Sequence, residues 1–123
     1  MEIKPKKTFA FAIQQDPELA RHLNWGGWGN GYVAIMPGHP LYQMDYNDIE
    51  ADYFINVNGG LTYSGYAKGL KLENKNIPDA AWVIGFDTMH SYDTREMWPD
   101  ETSVLNEAKK LEQQINSIIF IHK

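Results

Sequence analysis

The sequence predicts an α+β fold in which a mainly antiparallel sheet packs against a long C-terminal amphipathic helix. Short apolar or β-branched runs, separated by turn residues, are typical of strands, and four of them occupy the middle of the chain: Tyr32–Met36, Tyr53–Val57, Leu61–Tyr66 and Ala81–Phe86. Beyond Pro99, apolar residues recur at alternating spacings of three and four: Val104, Ala108, Leu111, Ile115 and Ile118. That spacing predicts a helix with one apolar face, which the sheet would cover. Strands followed by a long helix indicate the α+β class.

The N-terminal third predicts a strand, a short helix and a loop. Residues 9–15 are consistent with a first strand, and Asp16 with Pro17 is a typical helix start that places Asp16 at the N-cap. We expect this helix to end near residues 23–24. Four glycines in the seven residues 25–31 then predict a loop that carries Trp25 and Trp28.

Turn residues separate the later elements. Pro37 to Pro40 ends the second predicted strand, and Asn58-Gly59-Gly60 predicts a hairpin turn between the third and fourth strands. Residues 42–52 are expected to form an acidic loop, whose carboxylates either face solvent or bind a cation. The tail, residues 118–121, fits both a helical extension and an edge strand.

Composition limits the possible functions. A chain of 123 residues predicts one domain, residues 1–123, and the absence of cysteine excludes a thiol nucleophile or a thiolate metal site. A net charge of -5 argues against duplex nucleic acid as a partner. No apolar run approaches the roughly 20 residues of a membrane span, so we expect no membrane partner and a cytoplasmic location. Many of the 16 aromatic residues lie close to glycines, which suits a planar ligand or a small core.

The segment from Ala81 to Asp93 is the first candidate site, because an apolar strand there ends in polar side chains. Asp87, His90 and Asp93 follow one another at intervals of three residues and are suitable metal ligands, so they form the metal-site alternative. The other interpretation is structural: Asp87 caps a turn and His90 binds a neighbouring carbonyl. In that case no metal and no cofactor is expected.

Two further segments are candidates. In residues 58–65, backbone N–H groups could surround an anion, with Thr62 beside them, although an ordinary hairpin turn is the simpler interpretation. Pro40 holds His39 in an extended conformation, which would fix the direction of its imidazole.

Together these pieces resemble a family of small, mostly uncharacterised bacteriophage and prophage proteins. The resemblance depends on Gly38-His39-Pro40-Leu41-Tyr42, on Gly59-Gly60-Leu61-Thr62-Tyr63-Ser64-Gly65 and on Gly85-Phe86-Asp87 followed by His90. It covers roughly residues 28–93 and the terminal helix. Members of the family often have histidine where this chain has Asn58. The resemblance implies a location in the host cytoplasm and, by analogy with other phage proteins, a role against host defence.

The leading hypothesis is therefore a non-enzymatic protein that sequesters a small anionic, nucleotide-like and possibly cyclic signalling molecule. The expected ligand-binding residues are His39, Tyr42, Asn58, Gly59, Gly60, Thr62, Tyr63, Asp87 and His90, with Trp25 or Trp28 as a lid. One alternative is a metal-dependent phosphodiester hydrolase that uses His39 as its acid or base. Another is an adaptor that binds a host protein. A homo-oligomer is expected because a small domain encloses a ligand more easily between copies.

Overall fold

A computed structural model describes residues 8–70, 72 and 76–121, with side chains as far as residue 118. Its strands and helices are, in chain order, β1 (Phe9–Gln14), α1 (Pro17–His22), β2 (Gly29–Ile35), α2 (Tyr46–Asp52), β3 (Tyr63–Tyr66), a 3₁₀ helix (Ala67–Leu70), β4 (Trp82–Phe86) and α3 (Glu101–Ile121). The predicted α+β class is confirmed. The tail continues α3 as far as Ile121, so the helical alternative for residues 118–121 is the observed one.

The four strands form one antiparallel sheet in the order β1-β2-β4-β3. In the central pair, Ile35 of β2 lies opposite Trp82 of β4, and Gly31 lies opposite Phe86. The start of β2 and the end of β4 therefore meet at one end of the sheet. The residues that follow Phe86 emerge there, and the residues that follow Ile35 emerge at the opposite end.

The predicted stripe of α3 is the part of the helix that packs on the sheet. Val104, Ala108, Leu111 and Ile115 are fully buried and pack with Ile35, Ile84 and Phe86 of the central strands. The opposite face of the sheet is also covered: Tyr32, Ala34 and Val83 pack there with residues of the 3₁₀ helix and the connection that follows it. Because both faces are covered, the ends of the strands are where polar side chains can meet at the surface.

Gly29 and Gly31 begin β2, although the glycine-rich stretch was predicted to be a loop. Close approach explains the glycines. A methyl group on Gly31 would overlap the ring of Phe86, and one on Gly29 would overlap the backbone of Ile13. Here glycine permits tight packing of neighbouring elements rather than a turn.

The prediction of a strand at residues 53–57 was wrong. The N–H of Asn56 donates to Gln114 Oε1 at 2.7 Å and its carbonyl accepts from Gln114 Nε2 at 2.8 Å, so this backbone is bound to α3 instead of a strand. The turn at Gly60 forms, because its N–H donates to Val57 O at 2.9 Å, but the predicted hairpin does not.

The prediction of an acidic loop was also wrong for residues 46–52, which form α2. The side chain of Asp45 accepts from Asn47 N at 3.0 Å and caps this helix, and Ile49 is fully buried beneath it. Of the helices in the described ranges, none has the length and apolar character required to cross a membrane.

Candidate functional site

The candidate site lies at the end of the sheet where β4 finishes, in residues 87–98, which we call the 87–98 loop. Three backbone hydrogen bonds join this loop to residues 26–28: Gly26 N to Asp93 O at 2.8 Å, Gly27 N to Thr88 O at 2.7 Å and Trp28 N to Trp98 O at 2.8 Å. The fully buried Thr88 also donates its hydroxyl to Gly29 O at 2.6 Å. The loop is therefore fixed to the start of β2 along its length.

The fully buried carboxylate of Asp93 is the centre of the site. Its Oδ1 accepts from Asn58 Nδ2 at 3.0 Å and from Trp98 Nε1 at 3.1 Å. Its Oδ2 accepts from the backbone N–H of His90 at 3.0 Å and lies 2.7 Å from His90 Nδ1. Four donors on three residues thus satisfy one carboxylate, which is how a protein accommodates a buried charge.

These hydrogen bonds also determine the protonation of Asp93. Burial raises the pKa of its carboxyl group, but the bonds from His90, Asn58 and Trp98 together outweigh burial, so the pKa lies below its usual value. An ionised carboxylate accepts hydrogen bonds and cannot donate them, so the proton between the two side chains belongs to Nδ1 of His90.

The ring of His90 is held in place with its other nitrogen available. Within the described residues, Nε2 of His90 makes no hydrogen bond, and the side chain is 24% exposed. The ring stacks on Tyr92, with centroids 5.0 Å apart and planes within 7°. Gly59, at φ +69°, lies against the edge of the imidazole: a methyl group there would overlap Cε1 and Nε2 and lie 2.8 Å from the Tyr92 hydroxyl. Nε2 of His90, the phenol of Tyr92 and Gly59 therefore form one small surface, which we call the His90 surface.

Asp87 lies beside this surface. Its Oδ1 accepts from the backbone N–H of Met89 at 3.0 Å, which confirms the predicted turn cap, and lies 3.5 Å from His90 Nδ1. The side chain remains 30% exposed. On the other side of β4, burial raises the pKa of Tyr32, Asn30 lowers it, and Tyr63 and Asp87 raise it further.

The three predicted metal ligands do come together, since Asp87, His90 and Asp93 each offer an atom within 4.8 Å of the others. Their hydrogen bonds do not fit a shared ion. All the accepting positions of Asp93 are occupied by four donors, and His90 Nδ1 is one of them, so Asp93 could not share an ion with the other two residues without breaking this network. The arrangement is better suited to orienting an imidazole than to coordinating a metal.

The predicted anion site in residues 58–65 is contradicted. Asn58 N donates to Glu107 Oε2 at 2.9 Å and Leu61 N to Glu50 Oε2 at 3.2 Å, so two side-chain carboxylates already occupy the position proposed for the anion. Gly60 N and Thr62 N donate to backbone carbonyls. The backbone here binds anions of the protein itself, and it is not available for a ligand.

Two predicted site residues lie at the opposite end of the sheet. His39 follows the end of β2, is 4% exposed and accepts the N–H of Leu41 on Nδ1 at 3.1 Å. Tyr42 donates its hydroxyl to Ala80 O at 2.6 Å, just before β4 begins. The prediction that His39 and Tyr42 line one pocket with His90 was wrong, because antiparallel pairing of β2 and β4 sends the two segments in opposite directions.

The remaining predicted residues divide between the site and other surfaces. Asn58 and Gly59 are in the site, whereas Gly60 borders Glu50. Thr62 is exposed at the edge of the sheet. Tyr63 packs edge-on against Tyr32 on the face of the sheet away from α3, with centroids 5.8 Å apart.

Of the two tryptophans predicted as lids, Trp28 packs against the core and Trp25 is 43% exposed. Trp25 donates Nε1 to Met89 O at 3.0 Å, next to His90. Sequence reasoning underestimated Asp93 and missed Trp98 as its partner. The spacing of three residues between His90 and Asp93 was the available signal, whereas the contribution of Trp98 depends on tertiary structure.

Comparison of the chain with protein-family models, curated proteins and solved structures found no match.

Proposed function

We propose that this protein binds and sequesters a small nucleotide-like molecule, with the base of the ligand at His90 and no change to its covalent structure. The observation that carries the proposal is the 2.7 Å contact between His90 Nδ1 and the buried carboxylate of Asp93. It fixes the tautomer of the imidazole and leaves Nε2 as a preoriented acceptor. Preorganised groups bind a ligand with a smaller loss of entropy on association.

The accessible groups around His90 favour a base rather than a phosphate. With its proton on Nδ1, His90 offers Nε2 as an acceptor, and Asp87 offers a partly exposed carboxylate. Both suit the N–H donors on the edge of a nucleobase. The ring of Tyr92, 56% exposed and already stacked on His90, offers an aromatic face beside them. A phosphate 4 Å from Asp87 would instead be repelled by about 1 to 4 kcal/mol for each pair of unit charges.

Binding without reaction is favoured because no side-chain hydroxyl of the described residues is hydrogen-bonded to His90 Nε2. A hydrolase or transferase that forms a covalent intermediate through a serine, threonine or tyrosine hydroxyl would require one there. The resemblance to phage proteins supplies the setting, in which capture of a host signalling nucleotide would serve a counter-defence role. Capture by a phage protein would take place in the host cytoplasm.

A second candidate function follows from the contact between His90 Nδ1 and the carboxylate of Asp93. A histidine whose Nδ1 is held by a buried aspartate is the arrangement of a general base. Nε2 would take a proton from a water whose oxygen attacks the phosphorus of a phosphodiester; the P–O bond to the leaving alkoxide breaks, and the imidazolium returns the proton to that oxygen. In this version His90 replaces the predicted metal as the means of activating water, and His39 has no part because it lies at the other end of the sheet.

One experiment separates these functions. The protein is incubated with a panel of linear and cyclic mono- and dinucleotides, its melting temperature is measured, and the small molecules released by heating are identified by mass spectrometry. We expect a stabilising shift with at least one nucleotide and release of that nucleotide intact. Loss of the shift in His90→Ala, with retention in His22→Ala on exposed α1, would assign it to the site. A cleaved product supports the hydrolase, and the absence of a shift with every nucleotide contradicts both.

A further inference from the structure

A cavity of about 240 Å³ lies between α1, residues 24–27 and the 87–98 loop. Its lining includes the polar side chains of Gln15, Asn24, Thr94 and Arg95, together with Trp25 and Met89. Pockets that enclose a whole small molecule usually measure roughly 300 to 1,000 Å³. This cavity is therefore large enough for part of a nucleotide and too small for all of it.

The cavity and the His90 surface share one stretch of chain. Met89, which lines the cavity, immediately precedes His90, and Thr94 and Arg95 immediately follow Asp93. Met89 is bonded on both sides, through its N–H to Asp87 Oδ1 and through its carbonyl to Trp25 Nε1. Met89, which separates the two places along the chain, is therefore held by hydrogen bonds, and the cavity begins one residue away from His90 in the sequence.

Arg95 gives this cavity a charge that the His90 surface lacks. It is exposed and makes no ion pair with any residue in the described ranges, whereas the chain's other arginine, Arg21, is paired with Glu18. The donors of a guanidinium match the oxygens of a phosphate in pairs. Around Asn58, in contrast, the backbone already binds the carboxylates of Glu50 and Glu107. The phosphate of a ligand at His90 would be attracted toward the cavity and away from those acids.

We propose that this cavity is an anion subsite, in which Arg95 binds a phosphoryl group of the ligand whose base lies at His90. The amides of Gln15 and Asn24 and the hydroxyl of Thr94 offer further donors. Thr94 Oγ1 accepts from Met97 N at 3.1 Å, which leaves its proton for an anion. The nucleotide identity of the ligand rests on the proposed function, whereas the anion site rests on the cavity and on Arg95.

Inorganic pyrophosphate is the probe that tests the subsite separately. It is titrated at constant ionic strength, against sodium chloride, while the ¹H–¹⁵N signals of the Gly26 and Gly27 amides and the Trp25 indole are followed. We expect saturable shifts at these groups in the wild type. Affinity should fall at least tenfold in Arg95→Ala and remain unchanged in Arg21→Ala, the matched removal of an exposed arginine outside the cavity. The dispersion of each spectrum shows that the variant is folded.

The outcomes distinguish the two proposals. The subsite is overturned if pyrophosphate causes no saturable shifts at the cavity, or if Arg95→Ala binds pyrophosphate as tightly as the wild type. This holds whatever the result with nucleotides. Pyrophosphate binding that depends on Arg95, in a protein that binds no nucleotide, supports the anion site and contradicts the proposed function. A nucleotide that binds the wild type and Arg95→Ala equally well supports the function and overturns the subsite.

Discussion

Replacement of Asp93 by asparagine is the change that most directly disturbs the candidate site. The side chain keeps its size but loses its charge and gains an NH₂ group where one oxygen accepted hydrogen bonds. In either orientation, this group faces two donors: the N–H and Nδ1 of His90, or the side-chain donors of Asn58 and Trp98. With no exposed surface at position 93, water cannot replace the lost acceptor.

The cost of Asp93→Asn can be worked from these four donors. The imidazole can relieve one conflict by changing tautomer, so that Nδ1 accepts from the new NH₂. The backbone N–H of His90 then loses its charged acceptor, which costs about 1.5 to 3 kcal/mol. The bonds from Asn58 and Trp98 weaken from charged to neutral, by about 1 kcal/mol each. The expected loss is about 3.5 to 5 kcal/mol, a large part of the roughly 5 to 15 kcal/mol that stabilises a typical domain.

Urea denaturation at pH 7, followed by far-ultraviolet circular dichroism, measures this loss. The control is Asp16→Asn, because Asp16 caps α1 at the surface and asparagine caps a helix about as well as aspartate. We expect Asp16→Asn to remain within about 0.5 kcal/mol of the wild type. If Asp93→Asn also lost less than about 1 kcal/mol, Asp93 would not be the buried charge around which the site is built.

Three other predictions follow from the structure. Gly59→Ala should lower the free energy of unfolding by about 1 to 2 kcal/mol, because φ is +69°, and should also abolish nucleotide binding because the methyl group displaces His90. Burial lowers the pKa of His39 and outweighs the opposing influence of the Asn116 side chain, so below pH 6.5 the unfolded chain takes up a proton more readily than the folded chain does. Stability should therefore fall more steeply between pH 7 and pH 5 in the wild type than in His39→Gln, by no more than the limit of about 1.4 kcal/mol per pH unit for one proton. Asn58→Asp should cost about 2 to 4 kcal/mol at pH 7, because it removes a donor to Asp93 and adds a like charge beside it.

Each of these predictions is checked against a matched control variant, by urea denaturation and by the nucleotide thermal shift. Gly60→Ala has similar backbone strain, at φ +83°, but its methyl group would meet only the carboxylate of Glu50, so it should lose stability and keep binding. If both glycine variants bind equally, the contact between Gly59 and the imidazole is not part of the site. Equal losses between pH 7 and pH 5 in the wild type and His39→Gln would contradict a neutral buried histidine. Asn56→Asp, at an exposed side chain, should be nearly neutral, and a similar cost there would remove the special role of Asn58.

The parts of the fold that sequence predicted are those set by local pattern. The spacing of Val104, Leu111 and Ile115 predicts the buried face of α3 because helical periodicity requires no knowledge of the rest of the chain. The strand at residues 82–86 was found for a similar reason. Residues 53–57 have an equally good strand composition, but Gln114, more than fifty positions away, occupies the backbone of Asn56. Composition cannot reveal a competitor that is distant in sequence.

The candidate site also divides into residues that local pattern identified and partners that are distant in sequence. The sequence identified Asp87, His90 and Asn58 as functional candidates, and the structure brings them together around Asp93. It placed His39 in the same pocket because a proline-bounded histidine is conspicuous, yet the direction of each strand decides which loops meet. An external anion was one of two interpretations of the glycine-rich turn, and the carboxylates that occupy it come from α2 and α3. Only the tertiary structure could supply those partners.

The central claim is that Asp93 holds His90 with Nε2 available to a ligand, and nitrogen NMR of the imidazoles tests it most directly. At pH 8 we expect His90 to carry its proton on Nδ1, and the nucleotide that stabilises the protein should shift the Nε2 resonance of His90. His39, whose Nδ1 accepts from Leu41 N, should have the opposite tautomer and remain unchanged. A proton on Nε2 of His90 in the free protein, or a ligand that shifts His39 and leaves His90 unaffected, would contradict the account.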